Sequence, residues 1–323
     1  MPERSISHAF VTGAAGFVGG HLVRQLAAAG VRVTALARGA QAALPPELAG
    51  LAGVRWIQGD LLAPSGWQRG LRECDALFHV AALYSAQPAD APNLYRVNVG
   101  GTQRALAAAA DAGVQVVVHT STIGTIGRPA GGAPADEEAP FNLWPAASDY
   151  VRSKWLGEAA ALWWGQRGLP VVVVHPTAPV GAGDRKPTAT GQRIVDFLAG
   201  RRPDYPSGGL NLCPVVDIAA GHLLAAQRGQ SGRRYILGHA AGNLDEAGFL
   251  ALLAQASGQP VPPRVGQPPR RRPLSLTANP ARAIEELGLP QSELAAAAEA
   301  AAAFYRSPSE GRVFLSHPQG VGP

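Results

Sequence analysis

Short apolar runs alternate with longer stretches in which apolar residues recur every three or four positions, and the alternation persists to about residue 175. The runs around Ala9-Phe10-Val11, Val116-Val117-Val118 and Val171–Val174 are apolar at successive positions. That fits strands buried on both faces, as in a parallel sheet covered by helices. The pattern predicts a strand over 8–12, a helix over 17–29, strands over 31–37 and 54–58, and a short helix over 65–72. It continues with a strand over 76–80, a helix over 93–112, a strand over 114–120, a helix over 148–166 and a strand over 170–175. The fold class is therefore α/β, a doubly wound parallel sheet whose ligands should lie at the carboxyl ends of the strands.

Past residue 176 proline and glycine rise and the segments shorten. We expect residues 1–176 to form the main domain, 177–306 a small substrate-covering lobe that threads back onto it, and 307–323 a mobile tail. Pro260–Pro273 is proline-rich and without periodicity, hence a loop. Ala295–Ala303 is nearly all alanine and predicts a terminal surface helix that buries little.

Charge changes this picture only slightly. The formal net charge is +5, but the arginines are dispersed and no aromatic residues interleave the few clusters, so no nucleic-acid site is expected. No apolar run reaches membrane-spanning length and no leader precedes the first strand, so we expect a cytoplasmic protein without a membrane span. Cys74 and Cys213 read as free thiols, and the eight histidines form no ligand cluster, so no metal is expected. His79 and His119, at the ends of apolar strands, read as hydrogen-bonded core residues.

The chemistry is carried by two motifs. Thr12-Gly13-Ala14-Ala15-Gly16-Phe17-Val18-Gly19 joins the first strand to the first helix. Glycines at 13, 16 and 19 allow a tight turn, a close approach to a pyrophosphate and close helix packing, which is the dinucleotide fingerprint of a Rossmann fold. Far downstream, Tyr150 and Lys154 stand four apart, on one face of a helix, where an ammonium can lower the pKa of a phenol. The chain has only two lysines, at 154 and 186, against many arginines; keeping one here implies a task that arginine cannot perform. The second strand should end near Arg38, with no Asp or Glu between Arg32 and Pro46. That favours the 2′-phosphate of NADP, with NAD as the alternative.

The ordered series of motifs resembles the extended short-chain dehydrogenases/reductases, the epimerase/dehydratase group. Its pieces are the stretch from Thr12 to Gly19, Gly59-Asp60-Leu61, His79-Val80-Ala81-Ala82, Asn98–Thr102, Thr120-Ser121-Thr122, Tyr150 with Lys154, His175-Pro176-Thr177 and Val216–Ala219. Residues 183–205, 209–225 and 234–238 are similar to hopanoid-associated sugar epimerases, a subgroup near the dihydroflavonol reductases. Pro260–Pro273 departs from those relatives, being shorter and less apolar.

The resemblance implies a cofactor site of Gly13, Ala15, Gly16, Phe17, Val18, Gly19, Arg38, Asp60, Leu61, Ala81, Ala82, Asn98, Thr120, Tyr150, Lys154, Pro176 and Thr177. In it Asp60 meets adenine and Lys154 the nicotinamide ribose. The implied catalytic set is Tyr150, Lys154 and Thr122, with Ser121 the competing hydroxyl. Leu83, Tyr84, Ile123, Ile126, Thr177, Lys186 and Arg193 are the implied substrate contacts, with Asn211 and Cys213 similarly placed. Two reactions use such a set: NADP-dependent reduction of a ketone or aldehyde, favoured by Arg38 and His175-Pro176-Thr177, and nucleotide-sugar epimerisation with retained NAD. A third role, cofactor sensing without turnover, is disfavoured by the intact Tyr150/Lys154 pair. Trp155, Trp163 and Trp164 crowd the catalytic helix, and this helix with the one at 93–112 is the expected face of a homodimer.

Overall fold

The computed structural model describes residues 3–38, 44–63, 66–264 and 275–307. The tail beyond Ser307 and most of the proline-rich loop lie outside the described residues. Strands β1 (His8–Thr12), β2 (Arg32–Ala37), β3 (Val54–Gln58), β4 (Ala76–His79), β5 (Val116–Thr120) and β6 (Val171–Pro176) match the predicted runs to within about two residues. A seventh strand, Arg234–Leu237, comes from the chain's later part and joins the sheet edge. With Ala178–Val180 as β7 and Leu210–Pro214 as β8, this strand is β9, and Asn243–Leu244 is β10. The large sheet has the order β3-β2-β1-β4-β5-β6-β9, all parallel, and a small sheet has the order β10-β8-β7. The reversal between β1 and β4 is the switch point at which such sheets bind ligands.

Helices α1 (Phe17–Ala28), α2 (Pro46–Ala49), α3 (Ala91–Tyr95), α4 (Thr102–Ala112), α5 (Asp149–Gly165), α6 (Ala189–Leu198), α7 (Val215–Arg228), α8 (Glu246–Ser257) and α9 (Leu294–Arg306) complete the described elements, with short 3₁₀ and π segments between them. Successive strand residues serve opposite faces, which is why the runs are continuously apolar. Val116, Val118, Val172 and Val174 meet Leu22, Val23 and Leu26 of α1 and Ile218 and Ala219 of α7. Val117, Val171 and Val173 meet Ala105, Leu106 and Ala109 of α4 and Ala161 of α5. Each such fully buried valine or leucine contributes on the order of 1.5–3 kcal/mol of transfer free energy. None of the described helices is long and apolar enough to cross a membrane.

Three expectations need correction. The helix predicted over 93–112 is broken: α3 and α4 flank a π-helical segment, Arg96–Gly101, whose wider turn carries Asn98. The predicted helix at 65–72 is a 3₁₀ turn over Trp67–Leu71 among the described residues. The alanine-rich C-terminal helix is not a surface element. In α9, Ala298, Ala301, Ala302 and Tyr305 are buried against Phe249 and Leu253 of α8 and Leu212 of β8. Helix propensity could not anticipate this, because small alanines permit close helix approach and so build a core by proximity rather than bulk.

Candidate active site

The cofactor cradle follows from backbone geometry. Gly13 has φ +69°, and a Cβ there would lie 2.7 Å from the Ala81 amide nitrogen. A Cβ on Gly19 would lie 2.1 Å from the Gly13 carbonyl oxygen. Only glycine lets β1 turn so tightly and α1 begin so close to it. The turn opens into a cleft of about 1340 Å³. Its walls include Gly13, Ala15, Gly16, Arg38, Asp60, Leu61, Ala81, Ala82, Leu83 and Tyr84 from the main domain, and Lys186 and Arg193 from the later part of the chain. A groove of this size, entered at glycine amides and a helix N-terminus, fits a dinucleotide. Phe17, Val18 and Gly19 stand behind this wall in the first turns of α1.

Arg38 is exposed just past β2, and its carbonyl accepts from Gln58 Nε2 at 3.4 Å. Asp60 Oδ1 accepts from the Leu62 amide at 2.8 Å, which turns the backbone into the cleft. Asn98, buried in its π segment, donates to the Leu83 carbonyl (3.0 Å) and accepts from the Leu83 amide (2.7 Å). It also donates to Ser153 Oγ at 3.0 Å, so one amide ties the Ala81–Tyr84 wall to α5.

Helix α5 begins at Ser148, whose hydroxyl accepts from the Val151 amide at 3.3 Å, with Asp149 in the first turn. At the second residue of α5, the Tyr150 phenol lies beside the Thr122 hydroxyl, and its ring meets Tyr84 edge-on at 4.9 Å. Lys154 is 3 % exposed and donates to the Thr120 carbonyl at 2.6 Å. Ser121 Oγ is turned away, donating to Glu158 Oε2 at 2.6 Å. The hydroxyl that faces Tyr150 is therefore that of Thr122.

The electrostatics differ from the expectation that Lys154 lowers the phenol's pKa. Burial, and next Tyr84, push Tyr150 up to about 12, while the Thr122 hydroxyl works the other way. Burial pulls Lys154 down to about 8, and Glu158 opposes that fall. In this state the lysine is engaged with a backbone carbonyl, so desolvation dominates the phenol. Tyr150 is thus a phenol that holds its proton firmly.

Glu158 is a residue that motif reading missed. Its carboxylate oxygen Oε2 accepts from Ser121 (2.6 Å), Thr125 (2.7 Å) and His175 Nε2 (3.0 Å). Burial raises its pKa, but His175 and the two hydroxyls outweigh that and pull it down to about 2. The available signal was spacing: Glu158 follows Lys154 by four on the same helix face.

Several other implied site residues lie in packing. Ile126 is 0 % exposed and sits with Ile123, Ala135, Ile236 and Ala278, so it offers a ligand no surface. Asn211 and Cys213 are also fully buried, and the Asn211 amide donates to the His239 carbonyl and Asn243. Pro176 ends β6, and Thr177 donates to the Leu237 carbonyl at 3.2 Å. Arg193 donates to the Asp204 carbonyl at 2.8 Å, whereas Lys186 is exposed at the cleft. His79 is hydrogen-bonded, to Thr12 (2.9 Å) and Thr102 (3.0 Å). His119 is not: neither ring nitrogen has a described partner, and the ring stacks on His79 at 5.5 Å. Burial and nearby Lys154 hold it well below the ordinary histidine pKa, hence neutral.

Comparison with known proteins gives the family. The model of the NAD dependent epimerase/dehydratase family matches residues 9–238. A protein of Synechocystis sp. named as a dihydroflavonol 4-reductase is 39 % identical, over 88 % of this chain and 90 % of its own. The 4-hydroxy-2-methyl-3-oxo-4-farnesyl-3,4-dihydroquinoline-1-oxide ketoreductase of Stigmatella aurantiaca is 37 % identical over 77 % of this chain and 73 % of its own. Among solved structures, a dTDP-glucose 4,6-dehydratase of Streptomyces venezuelae with NAD bound superposes with a TM-score of 0.81 at 27 % identity, covering 95 % of this chain and 98 % of that one.

Proposed function

The chain belongs to the NAD-dependent epimerase/dehydratase family and is an NAD(P)-dependent oxidoreductase; from that premise we propose that it reduces a ketone or aldehyde to an alcohol with NADPH. The observation that carries the direction is Tyr150: its phenol faces Thr122 and keeps its proton well above neutral pH, the state a proton donor needs. NADPH, when bound, supplies the hydride. Thr122 and Tyr150 fix the carbonyl oxygen by hydrogen bonds, and Tyr150 gives its proton to the alkoxide, a stronger base than phenolate. Lys154, released from the Thr120 carbonyl, holds the ribose and balances the phenolate left on Tyr150. Two relatives whose names describe reductions support the same direction.

The solved neighbours with NAD bound support the family's nicotinamide chemistry, and similarity to a UDP-glucose 4-epimerase keeps the epimerase reading as the alternative. NADP is favoured here by Arg38, an exposed cation at the carboxyl end of β2 on the cleft wall. Arg38→Asp is expected to move the preference from NADP toward NAD by about tenfold or more, because a carboxylate repels the 2′-phosphate and accepts the ribose hydroxyls. Fluorescence titration with both reduced cofactors measures this. An unchanged ratio would mean that another residue reads the phosphate. Mass spectrometry of cofactor released from the purified protein tests the reaction itself: retained NAD would favour epimerisation.

The subunit interface we propose is narrower than the tryptophan count implied. Trp155 is covered by Phe141 (5.7 Å, stacked) and Trp144, which leaves Trp163, 47 % exposed, as the aromatic on the outer face of α5. A homodimer through α4 and α5 should appear as twice the monomer mass in sedimentation at micromolar concentration. A monomer there would remove the interface and leave the chemistry untouched.

A further inference from the structure

Within α5, two buried side chains of opposite charge reach the same short segment of backbone. Lys154 donates to the Thr120 carbonyl (2.6 Å), and one turn later Glu158 accepts from the hydroxyls of Ser121 (2.6 Å) and Thr125 (2.7 Å). Those contacts bracket Thr122. The bracketed turn closes on itself as well: the Thr125 hydroxyl donates to the Thr122 carbonyl at 2.8 Å, and the Thr122 hydroxyl accepts from the Gly124 amide at 3.3 Å. Thr122 therefore has little freedom to move relative to Tyr150.

We propose that Glu158 is a positioning residue of the reductase site: its buried carboxylate pins the Ser121–Thr125 turn to the catalytic helix and is the counter-charge that keeps Lys154 an ammonium. The idea rests on the proposed reaction only for its kinetic consequence. Its electrostatic part stands on the placement of two buried side chains of opposite charge one helical turn apart. A lone buried ammonium is strongly disfavoured, and a carboxylate one helical turn away offsets much of that cost. The other groups around Lys154 offer no such help. His79 on β4 and His119 on β5 are both buried and held neutral, the first at about 3, and any charge on either would repel the lysine. Tyr150, on the lysine's own helix, keeps its proton. Glu158 is itself supported by His175 of β6 at 3.0 Å and Arg234 of β9 at 3.8 Å. The Ser121–Thr125 turn thus connects through this carboxylate to the far edge of the sheet.

The scarcity of lysine makes a direct test possible. Protein labelled with ¹³C at lysine Cε should give two side-chain resonances, from Lys154 and exposed Lys186, and Lys186→Arg identifies them. In the wild type the Lys154 signal should titrate near pH 8. Glu158→Gln keeps an acceptor for Ser121 and Thr125 but removes the charge, and should lower that midpoint by about one pH unit or more while Lys186 stays fixed. Ser121→Ala removes a hydrogen bond and keeps the charge, so the midpoint should hold. An unmoved midpoint in Glu158→Gln, or an equal fall in Ser121→Ala, would overturn the proposal.

Should Glu158→Gln fail to fold, the wild type still decides, since a Lys154 already neutral at about pH 7 has no effective counter-charge. Kinetically, the alkaline limb of the NADPH-dependent rate should move down with the lysine midpoint in Glu158→Gln, with activity recovering at lower pH; a uniform loss at all pH values would mark a merely structural role. The lysine titration does not depend on the reaction. If it shifts as stated while Tyr150→Phe still turns over, the proposed function is wrong and the counter-charge remains.

Discussion

Replacing Tyr150 by phenylalanine should lower turnover by about 10²- to 10⁴-fold, the usual contribution of a positioned general acid. NADPH affinity should stay within about threefold, which is under 1 kcal/mol. The separation follows from what the substitution keeps. The phenyl ring still meets Tyr84 edge-on, and the backbone of α5 is unaltered, so the cleft wall persists. What goes is the hydroxyl that faces Thr122, and with it the proton that the proposed reaction uses. Stopped-flow reduction of a model ketone, together with NADPH titration by fluorescence, measures both quantities. A variant that keeps most of its rate would show that the proton comes from elsewhere.

Lys154→Arg is expected to be nearly as damaging although it conserves the charge. The ammonium is 3 % exposed, and its site is closed by the Thr120 carbonyl at 2.6 Å, Glu158 on the same helix and neutral His119 on β5. A planar guanidinium with five donors needs more room than a compact ammonium, and the extra volume in a packed interior costs on the order of 1–3 kcal/mol. Thermal unfolding should therefore begin several degrees lower, and turnover should fall by about 10²-fold or more, since the larger head cannot hold the ribose and balance the phenolate together. Wild-type activity and stability in this variant would show that only the charge matters at position 154.

The parts of the site that could be read without tertiary structure are those built by local geometry. The glycine spacing from Gly13 to Gly19 states a strand–turn–helix junction by itself, and the structure adds what a Cβ would strike there, the Ala81 backbone at Gly13 and the Gly13 carbonyl at Gly19. Tyr150 and Lys154 declare their shared face through helical periodicity, and the doubly wound sheet follows from runs that are apolar at every position. The chain's own pattern could not show which hydroxyl, Ser121 or Thr122, looks at Tyr150. That choice depends on Glu158, 37 residues away, capturing Ser121. Whether a buried histidine finds a partner is equally non-local: His79 meets Thr12 and Thr102, while among the described residues the ring nitrogens of His119, on the neighbouring strand, have no hydrogen-bond partner. The fate of α9 was hidden for the same reason, because alanine's helix propensity says nothing about what lies beside it. Sequence determined the fold class, the glycine-rich turn after the first strand and the shared helix face of Tyr150 and Lys154, since each is written within a few turns of chain. The tertiary structure alone decided the protonation of that pair, because the desolvation and charges that shift a pKa come from residues brought together only by folding.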